Sequence, residues 1–144
     1  MISWQFLRAR WFLLALSATL PAVVVFAVGQ RHGLGAGLPG PLYLFIIVSP
    51  VLEEIVFRGL LQGWLLRRAA LARPRVGLSG ANVLTSIAFA AAHLWREPWS
   101  WAALTFFPSL MFGFARERSG AVAASCVLHA AYNAAMALGL WLGG

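Results

Sequence analysis

Five apolar segments, each close to the length that crosses a bilayer, constrain the fold of this chain more than any other feature. They cover residues 11–28, 42–66, 76–95, 99–114 and 120–142, and arginine, glycine or proline residues separate them. A helix needs about 20 apolar residues to cross the hydrocarbon core of a membrane. The sequence therefore predicts an all-α fold, a polytopic transmembrane bundle of about five helices.

The composition supports this prediction, because hydrophobic residues make up 61% of the 144 residues and charged residues only 10%. So little polar surface cannot cover a water-soluble globule, and so apolar a chain cannot stay solvated as a disordered one. A soluble enzyme and intrinsic disorder are therefore excluded. The length is typical of one domain, so we expect a single membrane-embedded domain over residues 1–144, with its motif-bearing core in 42–142.

The net charge of +7 comes from eleven arginines and four glutamates. In a soluble chain this excess would suggest a nucleic-acid partner, but basic residues in short loops between membrane helices are retained on the cytoplasmic side. Alternate loops hold eight arginines, whereas the opposite loops hold only Arg31 and Arg96. We therefore expect no nucleic-acid partner and a cytoplasmic N-terminus.

The first apolar segment has a second interpretation. Arg8 and Arg10 precede it, and the small residues Ala27 and Gly29 lie near its end, which are features of a signal peptide. An apolar stretch of 18 residues is long for such a signal, so a retained helix is the favoured interpretation and a cleaved one stays open.

Two adjacent carboxylates, Glu53 and Glu54, lie inside the second segment, where an ionised side chain costs about 3 kcal/mol or more. Arg58 follows Glu54 by four residues, so the two share a helix face and can form an ion pair. Glu53 points about 100° away from Glu54 and is not explained by this pair. We therefore interpret Glu54 and Arg58 as a structural pair and Glu53 as a functional residue. Gly59 and Gly63, four apart on the same segment, predict a close approach by a neighbouring helix.

Polar residues on two other segments extend the candidate site. His93 follows Phe89 by four residues on the third segment, and His129 and Asn133 are four apart on the fifth. A lone histidine in an apolar helix is usually a packing residue. Polar groups on three helices converge inside a bundle, however, because none of them can face lipid cheaply.

Such a convergence would support peptide-bond hydrolysis. A carboxylate removed from water can act as a general base towards a bound water molecule. A neighbouring histidine can hold that water or protonate the leaving amine, and a second histidine with an asparagine amide can donate to the developing oxyanion. The same Glu/His/His set offers three ligands for a catalytic zinc ion, and the sequence does not separate the two chemistries.

Three motifs in a fixed order carry a family resemblance. They are Glu53-Glu54-xxx-Arg58, Phe89-xxx-His93 and His129-xxx-Asn133, on successive apolar segments. The chain resembles the CPBP family (CAAX protease and bacteriocin-processing proteins), which consists of intramembrane endopeptidases, over residues 53–133. One such motif is a weak signal, whereas the ordered triple is a strong one.

The resemblance implies a role for each motif residue. Glu53 would activate water with the help of His93, His129 and Asn133 would form the oxyanion side, and Glu54 would support the site. The further supporting residues would be Arg58 and Phe89. Members of the family are described both as glutamic proteases and as metalloproteases; we favour a glutamic protease without a cofactor, with a zinc-dependent enzyme as the alternative.

The resemblance also implies a partner and a location. The substrate would be a membrane-anchored protein or peptide, cut within the bilayer near its C-terminal segment, and the oligomeric state stays open. Very small members accompany substrates with C-terminal sorting signals in bacteria, which suggests the bacterial inner membrane. With a cytoplasmic N-terminus, Glu53, His93 and His129 would lie between mid-membrane and the outer face.

Two competing hypotheses use the same residues differently. Cys126 and His129 are three apart and could act as nucleophile and base, although a cysteine in an apolar helix is usually a packing residue. Alternatively, the chain could be a small transporter or immunity-type membrane protein whose buried glutamate and histidine relay protons.

Overall fold

The structure, a computed structural model, describes residues 4–32, 40–75 and 77–144, and helices make up most of them. A 3₁₀ turn, Trp4–Arg8, comes first. The α-helices are α1 (Arg10–Ser17), α2 (Thr19–Arg31), α3 (Ser49–Glu54), α4 (Gln62–Leu65), α5 (Ala69–Ala72), α6 (Gly80–His93), α7 (Trp99–Leu104), α8 (Phe106–Ser119) and α9 (Val122–Gly143). Two π-helical segments, Leu44–Val48 and Ile55–Leu61, make residues 42–65 one continuous helix. The predicted all-α fold is confirmed.

Two helical stretches in the described part of the chain are long and apolar enough to cross a membrane, judged by length and composition. They are Arg10–Arg31, which contains α1 and α2, and Val122–Gly143, which is α9. Large apolar side chains also lie exposed along helix 42–65, as at Leu60. Exposed apolar surface of this extent is typical of contact with lipid.

Proline residues account for three departures from continuous α-helices. The helix α1 ends four residues before Pro21, α7 ends four residues before Pro108, and the first π-helical segment lies just before Pro50. Proline has no backbone N–H to donate to the carbonyl four residues earlier, and its ring clashes with that carbonyl. The first and fourth predicted segments therefore each fold as two helices.

The third predicted segment, residues 76–95, is a shorter helix than expected. A hairpin precedes it, in which Pro74–Arg75 pairs antiparallel with Leu78–Ser79. Gly77 in the turn has φ of 84°, a left-handed conformation that glycine adopts without strain. Ser79 then caps α6, since its side-chain Oγ accepts a hydrogen bond from the Asn82 backbone N–H at 2.9 Å. The helix therefore begins at Gly80, and Val76 lies outside the described residues.

The described residues form two compact units. Unit 1 contains residues 4–32, 40–52 and 126–144, and unit 2 contains residues 53–75 and 77–125. The single domain over residues 1–144 stays a prediction.

Unit 1 packs through small residues on α9. A Cβ atom at Gly139 would lie 2.6 Å from the Val23 carbonyl oxygen, and one at Gly143 would collide with the Ala27 carbonyl. The two glycines, four apart, therefore let α2 approach the α9 backbone closely. The predicted close approach at Gly59 and Gly63 was wrong: a Cβ at Gly59 would meet its nearest atom, in the Val122 side chain, at 3.7 Å.

Candidate active site

The centre of unit 2 is an ion pair between two fully buried side chains. Arg58 Nε lies 3.2 Å from Glu54 Oε2, and both side chains have 0% exposure. The pair joins the end of α3 to the π-helical segment Ile55–Leu61. The predicted ion pair is therefore confirmed. Its burial matters, because removing one partner would leave the other charge uncompensated.

Arg58 is held from three sides. Its Nη2 donates hydrogen bonds to the Ser109 carbonyl oxygen at 2.9 Å and to Ser109 Oγ at 2.7 Å. The guanidinium carbon lies 5.0 Å from the centre of the Phe89 ring and 5.9 Å from that of Phe112. Cation–π contacts of this kind are strongest when water is excluded. The helices α6 and α8 thus fix the position of the guanidinium group and, through it, of Glu54.

Phe89 connects this ion pair to His93. The Phe89 ring centre lies 5.1 Å from that of Phe57 and 4.5 Å from that of His93. His93 Nδ1 lies 2.9 Å from the Phe89 carbonyl oxygen. A carbonyl oxygen can only accept, so Nδ1 is the donor in this contact, and Nε2 is an acceptor in the tautomer that carries its proton on Nδ1. The residues of the first two motifs therefore form one contiguous cluster in unit 2.

A second polar cluster in unit 2 was not predicted from the sequence. Glu117 Oε1 accepts hydrogen bonds from Gln62 Nε2 at 2.7 Å and from Ser79 Oγ at 2.5 Å. Gln62 Nε2 also lies 3.2 Å from the Gly113 carbonyl, and a Cβ at Gly113 would collide with the Asn82 side chain. This cluster ties helix 42–65 to α8 and to the start of α6.

A spacing rule applied more widely would have found these residues. Polar or small residues recur every four positions on three helices, and this spacing places them on one face of each. The sets are Glu54, Arg58 and Gln62; Asn82 and Ser86; and Ser109, Gly113 and Glu117. The sequence prediction followed this spacing only from Glu54 to Arg58.

The remaining candidate residues are divided between the two units. Glu53 is half-buried in unit 2, next to Glu54 in α3. His129 and Asn133 belong to unit 1, where His129 is buried and Asn133 Nδ2 donates to the Phe45 carbonyl oxygen at 2.9 Å. That bond joins α9 to the first π-helical segment and uses one of the two amide N–H groups of Asn133.

Comparison with known families identifies the chain. The family model described as type II CAAX prenyl endopeptidase, Rce1-like, matches residues 35–135. The chain belongs to this family. All three motifs fall within the matched residues, so the resemblance to the CPBP family is confirmed. No curated protein and no solved structure matches the chain.

Family membership establishes the general activity. The chain is a protease of the CAAX type and an integral membrane protein, and its substrate is a membrane-associated peptide. Its two spanning stretches and its exposed apolar side chains agree with a position in the bilayer.

The positions of the histidine, cysteine and glutamate side chains bear on whether the protein could bind a zinc ion. A catalytic zinc takes three protein ligands drawn from histidine, cysteine, aspartate and glutamate. Among the described residues, neither unit by itself has a group of three such side chains able to hold a metal ion. Within either unit, the described residues therefore do not supply the ligand set of a catalytic zinc ion.

Proposed function

We propose that the chain is an intramembrane endopeptidase of the glutamic type, in which Glu53 activates the water that cleaves a peptide bond. The packing of Phe89 carries this proposal, because its ring contacts both the Arg58 guanidinium and the His93 ring, at 5.0 Å and 4.5 Å. The cluster that contains Glu54 and Arg58 thereby fixes the helix position next to Glu53 and also holds His93. A rigid support of this kind is what an active-site base requires.

The proposed proton path begins at Glu53. Its carboxylate accepts a proton from water as the water oxygen attacks the peptide carbonyl carbon. His93 holds the water through Nε2, then takes the proton from the Glu53 carboxylic acid at Nε2 and passes it to the leaving amine nitrogen, which restores the Glu53 carboxylate. His129 and the second amide N–H of Asn133 donate to the oxyanion. When the intermediate collapses, the C–N bond breaks and leaves a carboxylate and an amine.

A hydrolase inside a membrane also needs water in its interior. Apart from the two ion-pair atoms, four buried atoms of unit 2 have no hydrogen-bond partner among the described residues: Arg58 Nη1, Gln62 Oε1, Thr85 Oγ1 and Arg116 Nε. Buried polar groups of this kind normally bind ordered water. Helix 42–65 and α6 thus carry groups that can stabilise water near the first two motifs, which supports a hydrolytic function.

The π-helical segment Ile55–Leu61 is a further point of support. The Gln62 backbone N–H bonds to the Phe57 carbonyl, five residues earlier, instead of the one four residues earlier. Short π-helical segments within α-helices are uncommon and occur frequently at functional sites. This one begins directly after Glu53 and Glu54 and contains Arg58.

Two fluorogenic probes test the activity and the class of substrate. One is a farnesylated peptide ending in a CAAX sequence, and the other is an apolar helix followed by a basic tail, which represents a C-terminal sorting signal. We expect the purified full chain to cleave at least one of them. Glu53→Gln and His93→Ala should abolish cleavage without unfolding the chain.

Three additional measurements separate the alternatives. Cys126→Ser should keep its activity; complete loss would favour the cysteine mechanism. Cleavage should continue in a strong chelator; loss that zinc restores would favour the zinc-dependent enzyme. If neither probe is cleaved and the chain conducts protons across vesicles, the transporter hypothesis replaces the protease.

We also propose that the chain lies in a bacterial inner membrane with its N-terminus in the cytoplasm. Trp95 and Trp99 follow α6, whereas Arg67 and Arg73 precede it, and all four side chains are exposed. In a Cys126→Ser background, single cysteines at Trp95 and Trp99 should react with an impermeant reagent in intact cells. Cysteines at Arg67 and Arg73 should not react. The reverse pattern would overturn the orientation and the outer-face site.

A further inference from the structure

One end of unit 2 is rich in arginine. Two segments contribute to this end. The first, residues 67–73, lies between Gln62 and Ser79, and both of these side chains donate hydrogen bonds to the Glu117 carboxylate. The second segment is the end of α8, which contains Glu117 itself. The side chains of this basic end are Arg67, Arg68, Arg73, Arg116 and Arg118.

The charge of the basic end is uncompensated. Among the described side chains at this end, five arginines accompany one acidic residue, Glu117, which gives these side chains a formal charge of +4. All of the arginines except Arg116 are exposed. At the other end of α6, Arg96 and Glu97 cancel in the loop before α7. The asymmetry within unit 2 therefore indicates an anionic partner at one end only.

An apolar surface continues directly into the basic end. Leu60 and Trp64 are one turn apart on helix 42–65, with 66% and 50% of their surface exposed. The Arg68 guanidinium then lies 4.0 Å from the centre of the Trp64 ring. The order of apolar side chain, aromatic ring and arginine matches the acyl chain, interface and phosphate of a lipid. A nucleic acid or a water-soluble acidic peptide offers no acyl chain at the matching position.

We propose that the basic end binds the phosphate groups of anionic phospholipids, with phosphatidylglycerol as the representative ligand. This goes beyond the proposed protease function and does not depend on it. Glu53 precedes Leu65, the last residue of helix 42–65, by 12 residues, about 18 Å at an α-helical rise, and Arg67 follows two residues later. Arginines held at the phosphate level therefore set the depth of Glu53 in the membrane.

Binding of a fluorescent phosphatidylglycerol to the full chain in detergent micelles tests this proposal. The informative variant is Arg67→Gln/Arg73→Gln, and its control is Arg31→Gln/Arg96→Gln, which removes the same charge from exposed arginines in the opposite loops. Each arginine near a membrane surface contributes about fivefold in affinity. We expect the first variant to bind roughly 25-fold more weakly than wild type and the control to change binding less than about twofold.

Three comparison ligands show whether the basic end binds an anionic lipid, a free anion or an acidic protein. Fluorescent phosphatidylcholine should bind much more weakly than phosphatidylglycerol, and neither inorganic phosphate nor an oligoglutamate peptide should displace the lipid at equal ionic strength. Equal losses in the two double variants would overturn the proposal. Displacement by inorganic phosphate would indicate a free-anion site, and displacement by oligoglutamate a site for an acidic protein; either result would also overturn it.

Discussion

The two units differ in the side chains that they bury: those of unit 2 are largely polar, and those of unit 1 are mainly apolar. Unit 2 buries an ion pair, a glutamine, an asparagine and several hydroxyl groups, and its helices are joined by hydrogen bonds between these side chains. Unit 1 buries mainly aromatic and aliphatic side chains, and Gly139 and Gly143 bring α2 close to α9. Both are helical and rich in apolar residues, yet the fully buried polar side chains of the described residues are concentrated in unit 2.

The difference shows how a membrane protein holds a reactive group in place. Lipid is as apolar as leucine, so helices in a bilayer associate through close packing rather than through the hydrophobic effect. Close packing brings helices together but leaves many arrangements similar in energy. Buried polar groups have few alternative partners. The first two motifs, including Glu53 and His93, lie in the polar unit.

The largest effect is expected for Arg58→Ala, which leaves the Glu54 carboxylate buried without its cation. The loss should lower the free energy of unfolding by about 3–5 kcal/mol. Thermal unfolding in detergent measures it, with the exposed Arg96→Ala as the control. Equal unfolding midpoints for Arg58→Ala and wild type would contradict the claim that the buried ion pair stabilises unit 2.

A smaller effect is expected for Ser109→Ala, which removes one of the two hydrogen bonds that Arg58 Nη2 makes with this residue. A hydrogen bond to a charged group contributes about 1.5–3 kcal/mol, so stability should fall by up to that amount. Ser109→Thr keeps the hydroxyl group and should recover most of the loss in the same unfolding measurement. If threonine is no better than alanine, the hydroxyl does not hold Arg58.

In unit 1, the stability should depend on side-chain volume where α2 packs against α9. Gly139→Ala places a Cβ atom 2.6 Å from the Val23 carbonyl oxygen and should destabilise the chain by about 1–3 kcal/mol. Gly59→Ala is the matched control, because its Cβ would have 3.7 Å to the nearest atom. Alanine is the better helix former, so this control should be neutral or slightly stabilising. Equal loss in both would mean that helix flexibility, rather than close packing, explains the result.

The smallest effect is expected for Tyr132→Phe. The Tyr132 hydroxyl donates to the Ala15 carbonyl oxygen at 3.2 Å, a bond between neutral groups in unit 1. Its loss should cost about 0.5–1.5 kcal/mol in the same assay. A loss as large as that of Ser109→Ala would show that polar contacts matter equally in both units.

The features that the sequence predicted are those that depend on one helix alone. Segment length and composition identify the helices, and the four-residue spacing of Glu54 and Arg58 predicts their ion pair. The breaks before Pro21 and Pro108 follow from the missing proline N–H and were predictable, although treating each apolar segment as uninterrupted overlooked them.

Contacts between distant parts of the chain were not predictable in the same way. Gln62 and Glu117 are 55 residues apart, and nothing in either local pattern specifies the other as its partner. The glycine pairs illustrate the same limit: Gly59/Gly63 and Gly139/Gly143 have the same four-residue spacing, but of these two pairs only the one on α9 meets a neighbouring backbone. Which helix faces which glycine depends on the packing of the whole unit.

The central claim is that Glu53 performs the chemistry and Glu54 supports it, although the two are adjacent in the chain. Cleavage rate and thermal unfolding, measured together for Glu53→Gln and Glu54→Gln, test this most directly. We expect Glu53→Gln to lose activity by a factor of about 10²–10⁴ with an unchanged unfolding midpoint. Glu54→Gln should lower the midpoint, because it leaves Arg58 without its buried counter-charge. An active Glu53→Gln, or a destabilised Glu53→Gln beside a stable and inactive Glu54→Gln, would contradict the account.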